Sequence, residues 1–357
     1  MTILDYDVLI LGQGLAGTAL AWSLRQRGQR FLIIDRDAPG GSSRIAAGLM
    51  TPITGRRLVK TWRWDEFWQT ACTFYRQLET ELETTFFFPS RMVRLLADSS
   101  EQNFFQRRIT EEFAGLVARP EILLDPEAFD EGLGGFEMNS GGRLNVARFL
   151  AASRQQFVAD GAYVTADIDL QREIEVKSTG VRLPHLDIQA RRLIFCQGID
   201  ARDNPWFAHV RFKPAKGEIL TLRIAGLAEA RIVHRGVWLM PLGNGQFRAG
   251  ATYEWNELND LPTDVGREEI CSRLRQFLRL PFEVVAQDAA VRPIVLHQYP
   301  VVGLHPRWPQ LGFLNGLGSK GSLQAPWLAN HFAEFLCADL PIDPAVSLSR
   351  YEANFQF

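Results

Sequence analysis

The sequence predicts an α/β Rossmann-like nucleotide-binding domain, discontinuous in the chain, joined to an α+β domain with a mainly antiparallel sheet. Three observations predict it. A βαβ unit with a glycine-rich turn opens the chain, a second glycine-rich strand–loop–helix closes it, and short strands fill much of what lies between.

Taken in order, Asp7-Val8-Leu9-Ile10-Leu11 is a short apolar run suited to a strand buried on both faces of a parallel sheet. Gly12-x-Gly14-x-x-Gly17 follows, then a helix expected over Leu15 to Arg27 and ended by Gly28, then a strand over Phe31 to Asp35. Residues 65–84 carry Phe67, Trp68, Cys72 and Tyr75 at helical spacing. Residues 85–140 read as short strands and turns, with Met92 to Leu96 one of the strands. A helix is expected over Val146 to Ala159, and strands over Gly161 to Val164 and Arg192 to Cys196. Strands are expected at 219–224, 231–240 and 246–252, with a helix over 266–278. The strand Gly312 to Gly316, a loop and a helix from Pro326 to Leu336 end the pattern. The nucleotide domain is therefore expected at 1–84, 142–210 and 291–357, and the second domain at 85–141 and 211–290.

The 357 residues suit two domains or one elaborated one, and 46% hydrophobic with 22% charged residues excludes disorder, collagen and a disulfide miniprotein. A net charge of −2 provides no global field for nucleic acid. The four cysteines form no CxxC pair and none of the six histidines has ligand spacing, so no metal site is expected. Sparse cysteines, no apolar run of about 18 residues and an N-terminus that leads straight into the glycine motif point to a cytoplasmic protein without a membrane span.

The motif is informative through its context. Gly12 permits the turn, Gly14 lets the backbone approach a pyrophosphate, and Gly17 lets helix and strand pack closely. The N–H groups at Leu15 and Ala16 open the helix and face phosphate with the positive end of its dipole. Asp35, 18 residues beyond Gly17, can accept from both ribose hydroxyls, which disfavours a 2′-phosphate; Arg36 beside it belongs to the same set. The next segment, Gly40 to Met50, is small, polar and glycine-rich. Such a backbone suits a large flat ring, which favours FAD over NAD and assigns Ser43, Arg44, Ala47, Gly48 and Met50 to cofactor contact. A flexible surface loop is the other reading. Gly198, after the strand ending at Cys196, joins the cofactor set. So does the loop Gly316, Gly318, Ser319, Lys320 and Gly321, where a second helix N-terminus would favour negative charge on a reduced flavin ring. Lys320 either adds positive charge there, reaches substrate, or is a solvated lysine on a turn.

Several segments together make the chain resemble the flavin-dependent amine and amino-acid oxidoreductases of the D-amino-acid oxidase type, with glycine oxidase and sarcosine oxidase among them. These are Gly12 to Gly17 with Asp35; Ser42-Ser43 through Ala46-Ala47-Gly48; Lys216-Gly217-Glu218; Trp238 to Gly243 through Gly250-Ala251-Thr252; Val291-Arg292-Pro293 with Tyr299 to Gly303; and Gly316 to Gly321 with Ala325-Pro326. Gly48 to Pro52 and the basic residue at Lys320 are also similar to the oxidase domain of the bifunctional enzyme that acts on carboxymethylated wobble uridine of tRNA, whose methyltransferase half has no counterpart here.

The resemblance implies FAD, held non-covalently because no cysteine matches the covalent link of sarcosine oxidase. It implies hydride transfer from the carbon beside an amine to flavin N5, giving an imine, with a small amine or amino acid as substrate and oxygen or a respiratory carrier as acceptor. It implies that Arg292 pairs with the substrate carboxylate, a structural ion pair being the alternative. Trp238, Tyr253 and Trp255 are candidate pocket walls, although core positions are the commoner use of such residues. Arg56, Arg57, Lys60 and Arg63, interleaved with Trp62 and Trp64, could grip RNA, bind an acidic small substrate, or form a solvated loop paired with Asp65 and Glu66. His234 and His297 are expected to be packed or on the surface. The alternatives in function are the same chemistry on modified uridine in tRNA, and a non-catalytic FAD-holding subunit. The sequence does not set the oligomeric state.

Overall fold

The computed structural model describes residues 4–354 and is built on two eight-stranded sheets. In the first, Tyr163–Thr165, Phe31–Asp35, Leu4–Leu11, Ile188–Phe195 and Leu311–Asn315 run parallel to their neighbours. Glu175–Lys177, Gly180–Leu183 and Val301–Leu304 complete it in antiparallel pairings. The register sets Leu9 beside Leu32 and Leu193, and Leu193 beside Leu311. The opening strand thus lies between strands reached by connections of very different length. The crevice at its carboxyl end is the switch point where open α/β sheets bind ligands.

Helices Leu15–Arg25 and Gly321–Ala338 pack on each other over this sheet, and Trp64–Glu81 packs on the latter. Close approach is set by Gly17, where any Cβ would overlap the Gly12 carbonyl oxygen. Ile10, Leu20, Trp22, Phe67, Tyr75, Phe149 and Phe332 fill the layer between.

The second sheet runs in the order Glu283–Arg292, Ala215–Arg223, Gln246–Gly250, Val237–Gly243, Ile232–Arg235, Met92–Leu95, Gly135–Met138 and Val117–Arg119. Its pairs are antiparallel except Ile232–Arg235 with Met92–Leu95. Helix Asp264–Leu274 covers one face, where Ile270 and Leu274 pack on Leu220, Leu239 and Ala249. The other face looks across to the glycine loops.

The helix expected over Val146 to Ala159 has those bounds. The first helix stops at Arg25, and Gly28 at φ +67° closes the turn after it. The run 231–240 is two strands, because Gly236 at φ +70° turns the chain within it. Helix Ser99–Arg108 falls in a stretch read as strands and turns; the Asp98 carboxylate caps it by accepting from the Ser100 and Glu101 N–H groups. The last helix begins at Gly321, upstream of Pro326. Proline inside a helix frees the carbonyl one turn earlier, and here the Tyr75 hydroxyl donates to that Ser322 carbonyl at 2.8 Å. Among the described residues no helix is long and apolar enough to cross a membrane.

Candidate functional site

A cleft of about 1440 Å³ runs between the two sheets, and a side cavity of about 180 Å³ opens beside it. The cleft exceeds the roughly 300–1,000 Å³ of an ordinary small-molecule pocket, leaving room for a dinucleotide and a second molecule.

The first strand delivers Gly12, Gly14, Leu15 and Ala16 to the wall. Gly12 stands at φ +108°, and a Cβ there would come within 2.6 Å of the Cys196 carbonyl oxygen, so the turn requires glycine. The helix that follows has no acidic residue in its first turn, and its leading N–H groups have no intrahelical acceptor. The loop that enters the last helix brings Gly318, Ser319 and Gly321 to the same wall. Two positive dipole ends therefore flank the cleft. Ser43 links the glycine segment to this point, its Oγ accepting from the Leu15 N–H at 3.2 Å.

Asp35 ends its strand on the wall. Its Oδ2 accepts from the Gln13 N–H at 2.6 Å and its Oδ1 from the Asp37 N–H at 2.8 Å. A carboxylate has further lone pairs to offer, so ribose hydroxyls can share it. Arg36 reaches Asp200 at 2.6 Å, both on the wall. Arg44 pairs with Asp37, and Arg154 meets the same carboxylate at 2.5 Å. These two guanidinium groups hold the Asp37 carboxyl below its ordinary range. Ala47, Gly48 and Gly198 also line the cleft. Gly48, at φ +73°, lies so close to the Leu144 carbonyl that no side chain fits.

Four residues of the expected cofactor set, Lys320 on the side cavity among them, stand behind or beside this wall. Gly17 is buried where the first helix meets the Gly12 turn and Ile10 of the strand before it. Gly316 turns the chain against Val295 and Pro300 and donates its N–H to Asn315 Oδ1 at 2.7 Å. Met50 is buried and lines the side cavity instead.

Arg292 lines the cleft at the end of its strand. Its guanidinium lies over Gly217, with its carbon 4.2 Å from the Tyr253 ring centre. It donates to the carbonyls of Thr252 at 3.1 Å and Lys216 at 3.4 Å. No carboxylate among the described residues pairs with it, which removes the structural ion pair. Lys320 is half-buried on the side cavity, not solvated, and burial pushes its ammonium pKa down. Trp238 and Tyr253 line both spaces. Trp255 is 52% exposed, stacked on Tyr253, and off both walls.

His234 was expected to be packed or on the surface, yet it lines both cavities. Sequence reasoning gave no site role to Arg94, which lines both beside it, or to Gly217 of the Lys216-Gly217-Glu218 segment; only the strand register brings them to the site. His297 is exposed. In the basic segment only Arg56 reaches the cleft. Lys60 pairs with Asp65 at 2.5 Å and Arg63 with Asp343 at 2.5 Å. Trp64 is buried and stacked on Trp68, and Trp62 packs on Phe67 and Tyr299. Trp64 thus belongs to the core, and Trp62 packs partly buried against it.

A switch-point cleft with two helix N-termini, a ribose-side carboxylate and a second sheet facing it defines a dinucleotide-dependent oxidoreductase fold. The chain belongs to the DAO family of FAD-dependent oxidoreductases, whose model matches residues 7–335. It is 26% identical to the tRNA 5-methylaminomethyl-2-thiouridine biosynthesis bifunctional protein MnmC of Marinobacter nauticus, over 92% of this chain and 55% of that protein. It spans about half the length of that relative. It is 23% identical to the glycine oxidase of Bacillus licheniformis over 93% of each. The crystal structure of glycine oxidase from Geobacillus kaustophilus shares the fold at a TM-score of 0.78 and 19% identity, covering 96% of this chain and 99% of that one. The chain is accordingly an FAD-dependent enzyme, and the glycine cradle at Gly12, the Asp35 carboxylate and the paired helix ends fit that cofactor.

Proposed function

We propose that the chain oxidises the C–N bond of a small amino acid or N-substituted glycine to the imine, which water then hydrolyses to a keto acid or glyoxylate and an amine. The observation that carries this reading is the Arg292 guanidinium, placed in the cleft with carbonyl partners only. A cation held out of bulk water calls for an anion, and a guanidinium fork matches a carboxylate. FAD, when bound, supplies the two-electron acceptor for the hydride leaving the carbon beside the amine.

Arg292 fixes the carboxylate end, so the Cα–H bond is oriented rather than free to rotate. Tyr253 holds the guanidinium plane from one side, and Trp238 walls the substrate space. The last helix's N-terminus and Lys320 favour negative charge at the neighbouring ring. The amine is bound neutral, and no acid–base triad is needed. Cofactor attachment is non-covalent on this reading: Cys196 is the cysteine on the cleft wall, and burial pushes its thiol pKa up, away from the nucleophilic thiolate. Segments 1–84, 142–210 and 291–357 would form the cofactor-binding part. Oxygen or a respiratory carrier would reoxidise the enzyme.

Anaerobic addition of glycine, sarcosine, D- and L-proline, D-alanine and iminodiacetate to the FAD-loaded protein tests this. Bleaching of the flavin absorbance by one of them is expected, and readmitted air reports whether oxygen is the acceptor. If the whole panel leaves the colour intact, small amines are the wrong class. The match to MnmC favours a second reading, the same oxidation on a carboxymethylaminomethyl uridine of tRNA. Bleaching by tRNA bearing that group, but not by unmodified tRNA, would establish it.

A further inference from the structure

The face of the second sheet that lines the cleft carries one continuous cross-strand row. Register pairs Asp288 with Ile219, Ile219 with Gly250, Gly250 with Trp238, Trp238 with His234, and His234 with Arg94. All six line the cleft. The Arg292 guanidinium rests over Gly217, on the same strand as Ile219. His234 lies three strands away, which is roughly 14 Å at about 4.8 Å per strand. Gly217 lies two residues along its strand from Ile219, which lengthens the span to roughly 16 Å, and a hydrogen bond of about 3 Å at each end leaves about 10 Å between the two groups bound. Between them lies the Trp238 indole, against Gly250, where a Cβ would come within 3.0 Å of its ring.

The far end of this row is held in one chemical state. Arg94 is 5% exposed and donates to Glu101 at 2.6 Å, whose other carboxylate oxygen accepts from the Ala97 N–H at 3.0 Å. A second nitrogen of the same guanidinium meets His234 Nδ1. Arginine only donates, so Nδ1 must accept, and the ring proton of the neutral imidazole resides on Nε2. Burial and the adjacent guanidinium both disfavour a second proton.

We propose that His234 is a fixed Nε2–H donor for a remote acceptor group of the substrate, so that the site takes glycines whose N-substituent is extended and flat, lies on Trp238 and ends in an oxygen acceptor about 10 Å from the glycine carboxylate. Arg94 is the positioning residue that fixes the tautomer. The proposal rests on the amine-oxidation reading and selects its N-substituted arm.

Two probes test it on the FAD-loaded protein: N-benzylglycine and N-(4-carboxybenzyl)glycine, which differ only in the remote carboxylate. Apparent dissociation constants come from anaerobic flavin bleaching, or from perturbation of the flavin spectrum where no bleaching occurs. The carboxylated probe should bind at least tenfold tighter. H234F should abolish that ratio, and H234Q, which keeps an N–H donor, should restore part of it. FAD content and melting temperature of each variant report whether it is folded. Equal affinities in the unmodified enzyme, a ratio that survives H234F, or failure of either probe to bind overturns the proposal. Bleaching by N-benzylglycine is read separately: its absence with binding intact counts against amine oxidation and leaves the ratio measurable.

Discussion

Gly217→Ala should disable substrate binding while sparing the fold. Gly217 sits within the strand Ala215–Arg223, and a Cβ there would occupy the place of the Arg292 guanidinium. The clash is with the far end of a long side chain, so the backbone can stay and the arginine swings away. It then loses the Thr252 carbonyl and the Tyr253 ring that aim it. Hydrogen bonds to charged groups contribute about 1.5–3 kcal/mol each, so losing one arm of the fork costs about that much. At 1.36 kcal/mol per tenfold, kcat/KM falls roughly 13- to 160-fold. The assay is anaerobic flavin reduction by whichever amino acid bleaches the unmodified enzyme, with FAD content and melting temperature measured alongside. A folded, FAD-loaded G217A that keeps kcat/KM within threefold would refute Arg292 as the carboxylate anchor.

Gly12→Ala meets the Cys196 carbonyl at a positive φ and should lose about 1–3 kcal/mol, seen as a lower melting temperature and depleted FAD in the purified protein. Arg94→Met leaves the 2% exposed Glu101 without its cation and should cost about 3–5 kcal/mol by urea denaturation, whereas R94M/E101L should recover most of it. His209, whose pKa is lowered from 6.5 to about 4 by burial and by His305, folds neutral. Its stabilisation is complete above pH 6.5 and is lost as pH falls toward 4, because the unfolded chain takes up the proton first; H209N should flatten that limb of a melting-temperature profile. Glu137 is pushed up by burial but drawn below 4.5 overall by Arg231 and Arg91. Glu137→Gln should remove a further acid-labile contribution that is present above pH 4.5 and fades below it.

The nucleotide half was readable because local chemistry specifies it. Gly12, Gly14 and Asp35 sit at offsets that one turn and one helix dictate, and the structure returns them to one wall. The substrate half was less readable because its site is assembled by register. His234, Trp238 and Gly250 come from three strands, and nothing local to His234 distinguishes a cavity residue from a packed one. Arg94 looked like an ordinary strand arginine until its parallel neighbour was known. Trp64 runs the opposite way: its alternation with basic residues looks exposed, but it is buried, with Trp62 packed partly buried beside it. Pro326 suggested a helix start that a distant hydroxyl, Tyr75, makes unnecessary.

The opening strand has consequences for how the protein is made. Its partners include Ile188–Phe195, which in turn carries Leu311–Asn315, and the helix that follows it packs on Gly321–Ala338. During synthesis the Gly12–Gly17 turn is made well before Gly321, whose helix carries the second dipole end that faces the cleft. The nascent chain must hold Val8 to Leu11 against incomplete neighbours until Ile188–Phe195 and Leu311–Asn315 have been made, when unpaired strand edges are prone to misassociate. A complete cofactor cleft therefore waits for Gly321, and truncation before it would leave a chain with the whole Gly12–Gly17 motif but without the second dipole end.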